Sequence, residues 1–519
     1  MRRALAMGVL VLAGCAALRT DHPPVDAGMP AAWHLDGVDT SSAPLTVWWS
    51  TFGDPVLQEL VVAALDGNRD LAIAAARVAQ ARANLALVRS EQFPTVSAQA
   101  SAARARSSVT LPGAPRIAND FALEGLISYE VDLWGRLQRS TDAARADLLA
   151  TAYGRETVRL TLIADVARSY FTLRSLDLQL EIAQRTLRVR EDALRLAERR
   201  WRGGVTSELD YRQAEVALQN AAAVITNLEQ QTGVEQSTLS LLLGRFPHEI
   251  PRGVPVMAFA APPDVPVGLP SVLLARRPDI LTAEQNLLAA NARIDAARTL
   301  YFPTIALTGA FGWASSSLSN LLSSGALFWQ VGAAAAQSIF NAGRTRAQVE
   351  LLTAQQQELL AQYAKTVQAS FAEVENALIR IRGAAAQHAT QAAQVASTER
   401  TLALAETRYR NGYSSFLEVL DAQRNLFTAE LAQVQARETQ LTSLVTLYRA
   451  LGGGWDPAAI AADVEPSRPG GGLGNGGCNS SCPSITVTAK ETLWNNCYRE
   501  PGGCSRCTAP SRCCSAYWP

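Results

Sequence analysis

At 519 residues the chain is long enough for several domains or one large repeated unit, and its 47 basic residues balance its 47 acidic ones. That balance, with no basic cluster interleaved with aromatics, argues against a nucleic-acid partner. No apolar run reaches the roughly 18 to 20 residues of a spanning helix, so the only apolar stretch with membrane meaning stands at the start.

That start reads MRRALAMGVLVLAGC. Arg2 and Arg3 form a basic region and Ala4 to Ala13 a short apolar one, the pattern of an export signal over 1–14 rather than a span. Leu12-Ala13-Gly14-Cys15 is similar to a bacterial lipoprotein box, in which cleavage leaves the cysteine as a lipid-modified N-terminus. Cys15 is therefore the expected lipidation site, and Ala16 after it favours the outer membrane by the same resemblance. A linker and helix follow over 15–92.

From there the chain repeats itself. Asp70 and Asp279 open two helical stretches that run into Phe-Pro-Thr at Phe93 and Phe302, both offset by 209 residues. Trp134-Gly135-Arg136 echoes in Ala342-Gly343-Arg344, Arg202-Gly203-Gly204 in Arg410-Asn411-Gly412, and Leu243-Gly244 in Leu451-Gly452, all offset by 208. Each half places a strand pair after its first helix. The first pair is Thr95 to Thr110 and Phe121 to Leu133, within 93–134. The second is Thr304 to Ser317 and Ala326 to Ile339, within 302–341. Residues alternate there with period two. Ile305, Leu307, Gly309, Phe311 and Trp313 share one face; Thr304, Ala306, Thr308, Ala310 and Gly312 share the other.

Long helices follow both pairs, over 135–245 and 342–455. Leu173, Leu180, Leu187, Leu194 and Trp201 are spaced by seven, as are Ile381, His388, Val395, Leu402 and Tyr409. Such a beat keeps one seam turned toward a partner helix. No proline interrupts Gly135 to Arg202, so at 1.5 Å per residue this helix is expected to be about 100 Å long. Gly203-Gly204 and Asn411-Gly412 end the helices, and Thr206 or Ser207, and Ser414 or Ser415, are placed to cap the returning ones. A Pro/Gly-rich linker, 246–270, and a helix, 271–301, join the halves. The stretch 456–519 reads as a Gly/Cys-rich, disordered tail. It carries every cysteine except Cys15, and a zinc site on Cys504 and Cys507 is the weaker reading of it.

Lipid tolerates only helices and closed barrels. Four strands cannot close a barrel; three chains would supply twelve. Trp313, Phe328 and Trp329 are placed to sit at the membrane interface.

The order and motifs resemble the TolC-like outer-membrane efflux family in its lipoprotein branch. The stretches that carry the likeness are WWSTFGDPVLQEL (Trp48 to Leu60), YEVDLWGR (Tyr129 to Arg136), RRPDI (Arg276 to Ile280), YFPT (Tyr301 to Thr304), FNAGR (Phe340 to Arg344), RYRNGYSSFLEVLDAQR (Arg408 to Arg424) and LYRALGGGW (Leu447 to Trp455). They span about Cys15 to Trp455 and are specific in combination. The resemblance implies a mainly α fold with membrane β. A homotrimeric twelve-stranded β-barrel, four strands per chain, would continue into a long periplasmic α-helical barrel. It implies a passive exit duct for drugs or other small molecules. The implied partners are outer-membrane lipid, a periplasmic membrane-fusion adaptor and an inner-membrane pump.

No catalytic arrangement, cofactor motif or metal set is legible. His22, His34, His248 and His388 are scattered, and GGGW at Gly452 lacks the lysine of a phosphate loop. Asp210, and Glu418 with Asp421 and Arg424, fall just beyond the helix breaks at helical spacing. The resemblance makes Asp210, Glu418 and Asp421 lining residues of a periplasmic gate, with Leu417 and Arg424 in its closure. Tyr409 matches a tip tyrosine whose usual arginine partner is not at the corresponding place. Gly204 and Gly412 mark the hairpin tips and the adaptor contact. Two other readings are a duct for protein secretion and a coiled-coil periplasmic scaffold.

Overall fold

A computed structural model of the chain describes residues 45–106, 117–259 and 265–456, together with 30, 32–35, 39, 41 and 460. The signal segment, Cys15 and the cysteines of the tail lie outside the described residues. Helices α1 (Pro55–Gly67) and α2 (Arg69–Ser90) lead into strands β1 (Thr95–Ala105) and β2 (Ala118–Val131). Helix α3 (Arg136–Arg202) turns into α4 (Glu208–Leu242). After a short α5 (Val272–Arg276), the pattern recurs as α6 (Pro278–Arg298), β3 (Thr304–Ser315), β4 (Leu327–Ala336), α7 (Arg344–Arg410) and α8 (Phe416–Ala450).

The strands form one antiparallel sheet in the order β1-β2-β3-β4. Thr95 pairs with Ser128 and Thr304 with Ala336. Adding 209 to the first residue and 208 to the second converts one pair into the other, so the two hairpins share one register. One face collects Val96, Leu123, Ile127, Leu307, Phe311, Trp313, Trp329 and Val331; the other collects Gln99, Asp120, Glu124, Thr308 and Gln330. Phe328 falls on this second, polar face, opposite Gly312, and not beside Trp329 as an interfacial ring. Neighbours on a strand point to opposite sides, so Trp329 and Phe328 cannot share a role. Gly312 is required: a Cβ there would lie 2.2 Å from the Leu123 carbonyl oxygen.

Helix α2 is long and apolar enough to cross a membrane by length and composition alone, unlike the reading of the sequence. Its alanines make it so, and it packs along α3, burying Ala74 and Val78.

Helix α3 is the spine. Its fully buried Tyr170 and Phe171 anchor a core with Trp48, Leu57, Val61, Leu239, Leu441 and Val445. Burial of each large apolar side chain contributes about 1.5–3 kcal/mol. Buried Asp54 caps α1 and gathers this core. It accepts from Val56 N (2.9 Å), Val254 N (3.0 Å) and the Tyr170 hydroxyl (2.6 Å). That hydroxyl in turn accepts from Gly253 N at 3.0 Å. Burial, then the bond to Asp54, pushes the Tyr170 phenol well above its ordinary pKa. A Cβ on Gly253 would lie 2.3 Å from Asp54 Oδ1, so the linker between the repeats closes here only through glycine. In the second repeat Arg277 bridges Asp279 (2.7 Å) and Glu373 (2.8 Å) and donates to Ala450 O (3.0 Å), tying α6, α7 and the end of α8 together. Burial opposes its charge, and the two carboxylates outweigh that, holding its pKa above the ordinary value.

Candidate functional site

Both helical hairpins end in the same turn. Gly204 and Gly412 take left-handed backbone, φ +69° and +76°. Val205 N donates to Arg200 O (2.8 Å) and Tyr413 N to Arg408 O (2.9 Å). This pattern satisfies the last carbonyls of a helix and needs a residue tolerant of positive φ. Ser207 caps α4, its Oγ accepting from Asp210 N at 3.4 Å. Ser415 holds the equivalent place on α8 with no side-chain cap. Exposed Val205, Leu209, Tyr413 and Leu417 crown the two tips.

Beneath the tips a small cluster joins all four long helices: Ala197 of α3, Ala214 of α4, Ala405 of α7, and Phe416, Val419 and Ala422 of α8. Alanine seams let the backbones approach, so the polar residues around them are held at fixed spacing. Asp421 and Arg424 form an i, i+3 pair at 2.5 Å, and Asn425 Nδ2 donates to the other Asp421 oxygen at 3.2 Å. Glu418 pairs across the hairpin with Arg408 of α7 at 3.5 Å. These groups are half exposed or more, so each pair contributes only about 0–1 kcal/mol. Leu417, Asp421 and Arg424 line a cleft of about 500 Å³ between α4 and α8, facing Leu209 and Arg212.

Asp210 is not brought to them. It stands on α4, and no side-chain bond joins it to Glu418 or Asp421 among the described residues.

Tyr409 does have an arginine partner. Arg200 Nη1 of α3 donates to its hydroxyl at 2.6 Å, with the guanidinium 5.2 Å from the ring centre. Arg200 comes from the first repeat. The 208-residue offset contains the clue: Arg200-Trp201 and Arg408-Tyr409 are equivalent pairs. Arg190 was also missed. It is 6% exposed, donates to Ala217 O at 2.7 Å and stacks 5.2 Å over Phe427. Burial lowers its pKa, and it fixes α3 to both α4 and α8 at the base of the cleft. Farther up, His388 of α7 is half-buried with Nε2 enclosed and without a hydrogen-bond partner. Burial, then the nearby Arg437, lowers its pKa.

The described residues bring together no group of His, Cys, Asp and Glu able to hold a metal. A family model described as outer membrane efflux protein matches residues 60–245 and 269–453. The solvent efflux pump outer membrane protein SrpC of Pseudomonas putida is 37% identical over 463 residues, covering 87% of this chain and 98% of the relative. The outer-membrane channel OprN superposes with a TM-score of 0.78 at 31% identity, covering 84% of this chain and 99% of that one. The Neisseria gonorrhoeae MtrE outer membrane channel, solved in its open state, gives a TM-score of 0.75 at 31% identity, over 84% and 97% of the two chains.

Proposed function

The chain belongs to the outer membrane efflux protein family, and from that membership we propose that three copies close into the passive exit duct of a tripartite pump for small molecules. The apolar face of the sheet is bare and both its edge strands are unpaired, a state that neither lipid nor water tolerates well. The junction between the repeats supplies the missing contact. Strand β2 pairs with β3 so that Val131 meets Ile305 and Phe121 meets Ser315. The same offsets carry that junction to β4 and the β1 of a second copy. Ile339 then meets Val96, Ala335 meets Ala100, and Trp329 meets Arg106. This accounts for Ile339, which is 97% exposed just past the end of β4. Three such seams give twelve strands, with the apolar face toward lipid and the carboxylates toward the passage.

The tips then meet around one axis. Asp421, paired with Arg424, and Glu418, paired with Arg408, form a gate with Asp210, Leu417 and Tyr409. The turns at Gly204 and Gly412 receive the periplasmic adaptor, which couples the duct to an inner-membrane pump. A lipid on Cys15 anchors each chain to the same membrane. A scaffold would leave the apolar sheet face without a role.

The seam is tested by cysteine pairing. Ala335→Cys with Ala100→Cys should give disulfide-linked species up to three chains in isolated membranes, and each single variant should not. Linked species that stop at two chains, or none from the double variant, would overturn the closure.

A further inference from the structure

The charged residues of the sheet are sorted by face. Asp120, Glu124 and Glu130 all lie on the polar face. Arg104 lies on the apolar one, in register with Asn119, and Arg106 continues the same alternation just past the strand. Both arginines are exposed, and neither side chain makes an ion pair or hydrogen bond among the described residues. The apolar face therefore carries two cations and no carboxylate there.

Their depth is fixed by the repeat. The offset of 209 residues puts Trp313 where the first hairpin has Arg104. Trp313 pairs with Leu123 and Leu327, at the end of the sheet away from the long helices. An indole on the lipid side at the end of a strand marks the headgroup level, so Arg104 lies at that level too. Residues two apart on one face of a strand are roughly 6.8 Å apart. Two guanidiniums at that spacing repel each other unless an anion bridges them. The seam brings a third element: Trp329, 74% exposed, comes opposite Arg106 of the second copy, and Val331 opposite Arg104.

We propose that each chain-to-chain seam is a binding site for a phosphate-bearing glycolipid of the outer leaflet. Arg104 and Arg106 of one copy hold the phosphate, by the forked hydrogen bonding that suits guanidinium to phosphate. Trp329 of the next copy lies along the sugar, and Val331 and Ala102 receive the acyl chains. The site is incomplete in one copy and rests on the twelve-stranded closure proposed above.

The test is native mass spectrometry of the detergent-extracted protein with added diphosphoryl lipid A, and with the same lipid dephosphorylated. The three-copy mass should carry up to three diphosphoryl lipid A molecules and markedly fewer of the dephosphorylated one. Arg104→Ala with Arg106→Ala should keep the three-copy mass and lower lipid occupancy about fivefold or more, whereas Arg104→Lys with Arg106→Lys, which keeps the charge and loses the fork, should fall between that variant and the unsubstituted protein. Equal occupancy in the alanine variant, or equal binding of the dephosphorylated lipid, would overturn the site. Absence of a three-copy mass from the unsubstituted protein would overturn the closure instead, a separate failure.

Discussion

Helices α3 and α7 are both 67 residues long and carry the same seven-residue beat, yet α3 buries 26 residues and α7 eight. The return helices reverse the order: α4 buries five and α8 sixteen. The helices before the strands differ as well, α2 burying two and α6 eight. One relation explains all three contrasts. Within the chain, α3 of the first repeat packs against α6 and α8 of the second. In the proposed closure the equivalent neighbours of α7 would be α2 and α4 of a second copy. What is bare in one chain is the image, under the repeat, of what is already packed.

The largest effect is expected at the sheet. Ile127→Arg places a charge on the lipid side, where a cation near mid-depth costs about 2–4 kcal/mol per chain. Assembled protein should disappear from outer-membrane fractions. Leu126→Arg, one residue away and on the polar face, should assemble; equal loss from both variants would show that the faces are wrongly assigned.

A second break lies where the repeats differ. Asp54 and Tyr170 have no counterpart pair in the second half, where Leu378 stands at the place of Tyr170. Asp54→Ala strands four donors, Val56 N, Leu57 N, Val254 N and the Tyr170 hydroxyl, and should cost about 3 kcal/mol, seen as a lower melting temperature in detergent; Tyr170→Phe removes one hydroxyl and should cost about 1–2 kcal/mol. A larger effect from Tyr170→Phe would move the anchor from the carboxylate to the hydroxyl that joins Asp54 and Gly253 N.

At the proposed gate little change in stability is expected. Asp421→Ala with Arg424→Ala removes an exposed pair and should shift stability by less than about 0.5 kcal/mol. Single-channel conductance and antibiotic leakage should rise, and unchanged conductance in an intact assembly would remove the gate role.

The smallest effect concerns His388. Its folded pKa lies below the unfolded value of about 6.5, so the unfolded chain takes up the proton first. Its contribution to stability is present above the unfolded value and is lost as pH falls toward the folded one. His388→Gln should flatten the fall in melting temperature between about pH 7 and pH 5. A steeper fall in the variant would place the proton elsewhere.

Periodicity and offset are local properties, and they made much of this molecule legible. The period of two in β3, the seven-residue beat of α3 and α7, and the glycines at the turns each follow from how a backbone places neighbouring side chains. The repeat offset predicted which residues are equivalent. Phe328 was misplaced because aromatic character was weighed above alternation.

Tertiary structure decided which equivalent residues touch. Arg200 reaches Tyr409 and Arg190 reaches Phe427 because α8 packs against both α3 and α7, and Arg277 reaches Glu373 because α6 packs against α7. Each contact joins residues more than 90 positions apart, and no local rule fixes which helix faces which. The sequence alone determined two like halves with their strands, helices and turns. Packing decided that the halves meet through α3 and through the β2–β3 junction, and so which faces of α2, α4 and α7 stay bare in one chain.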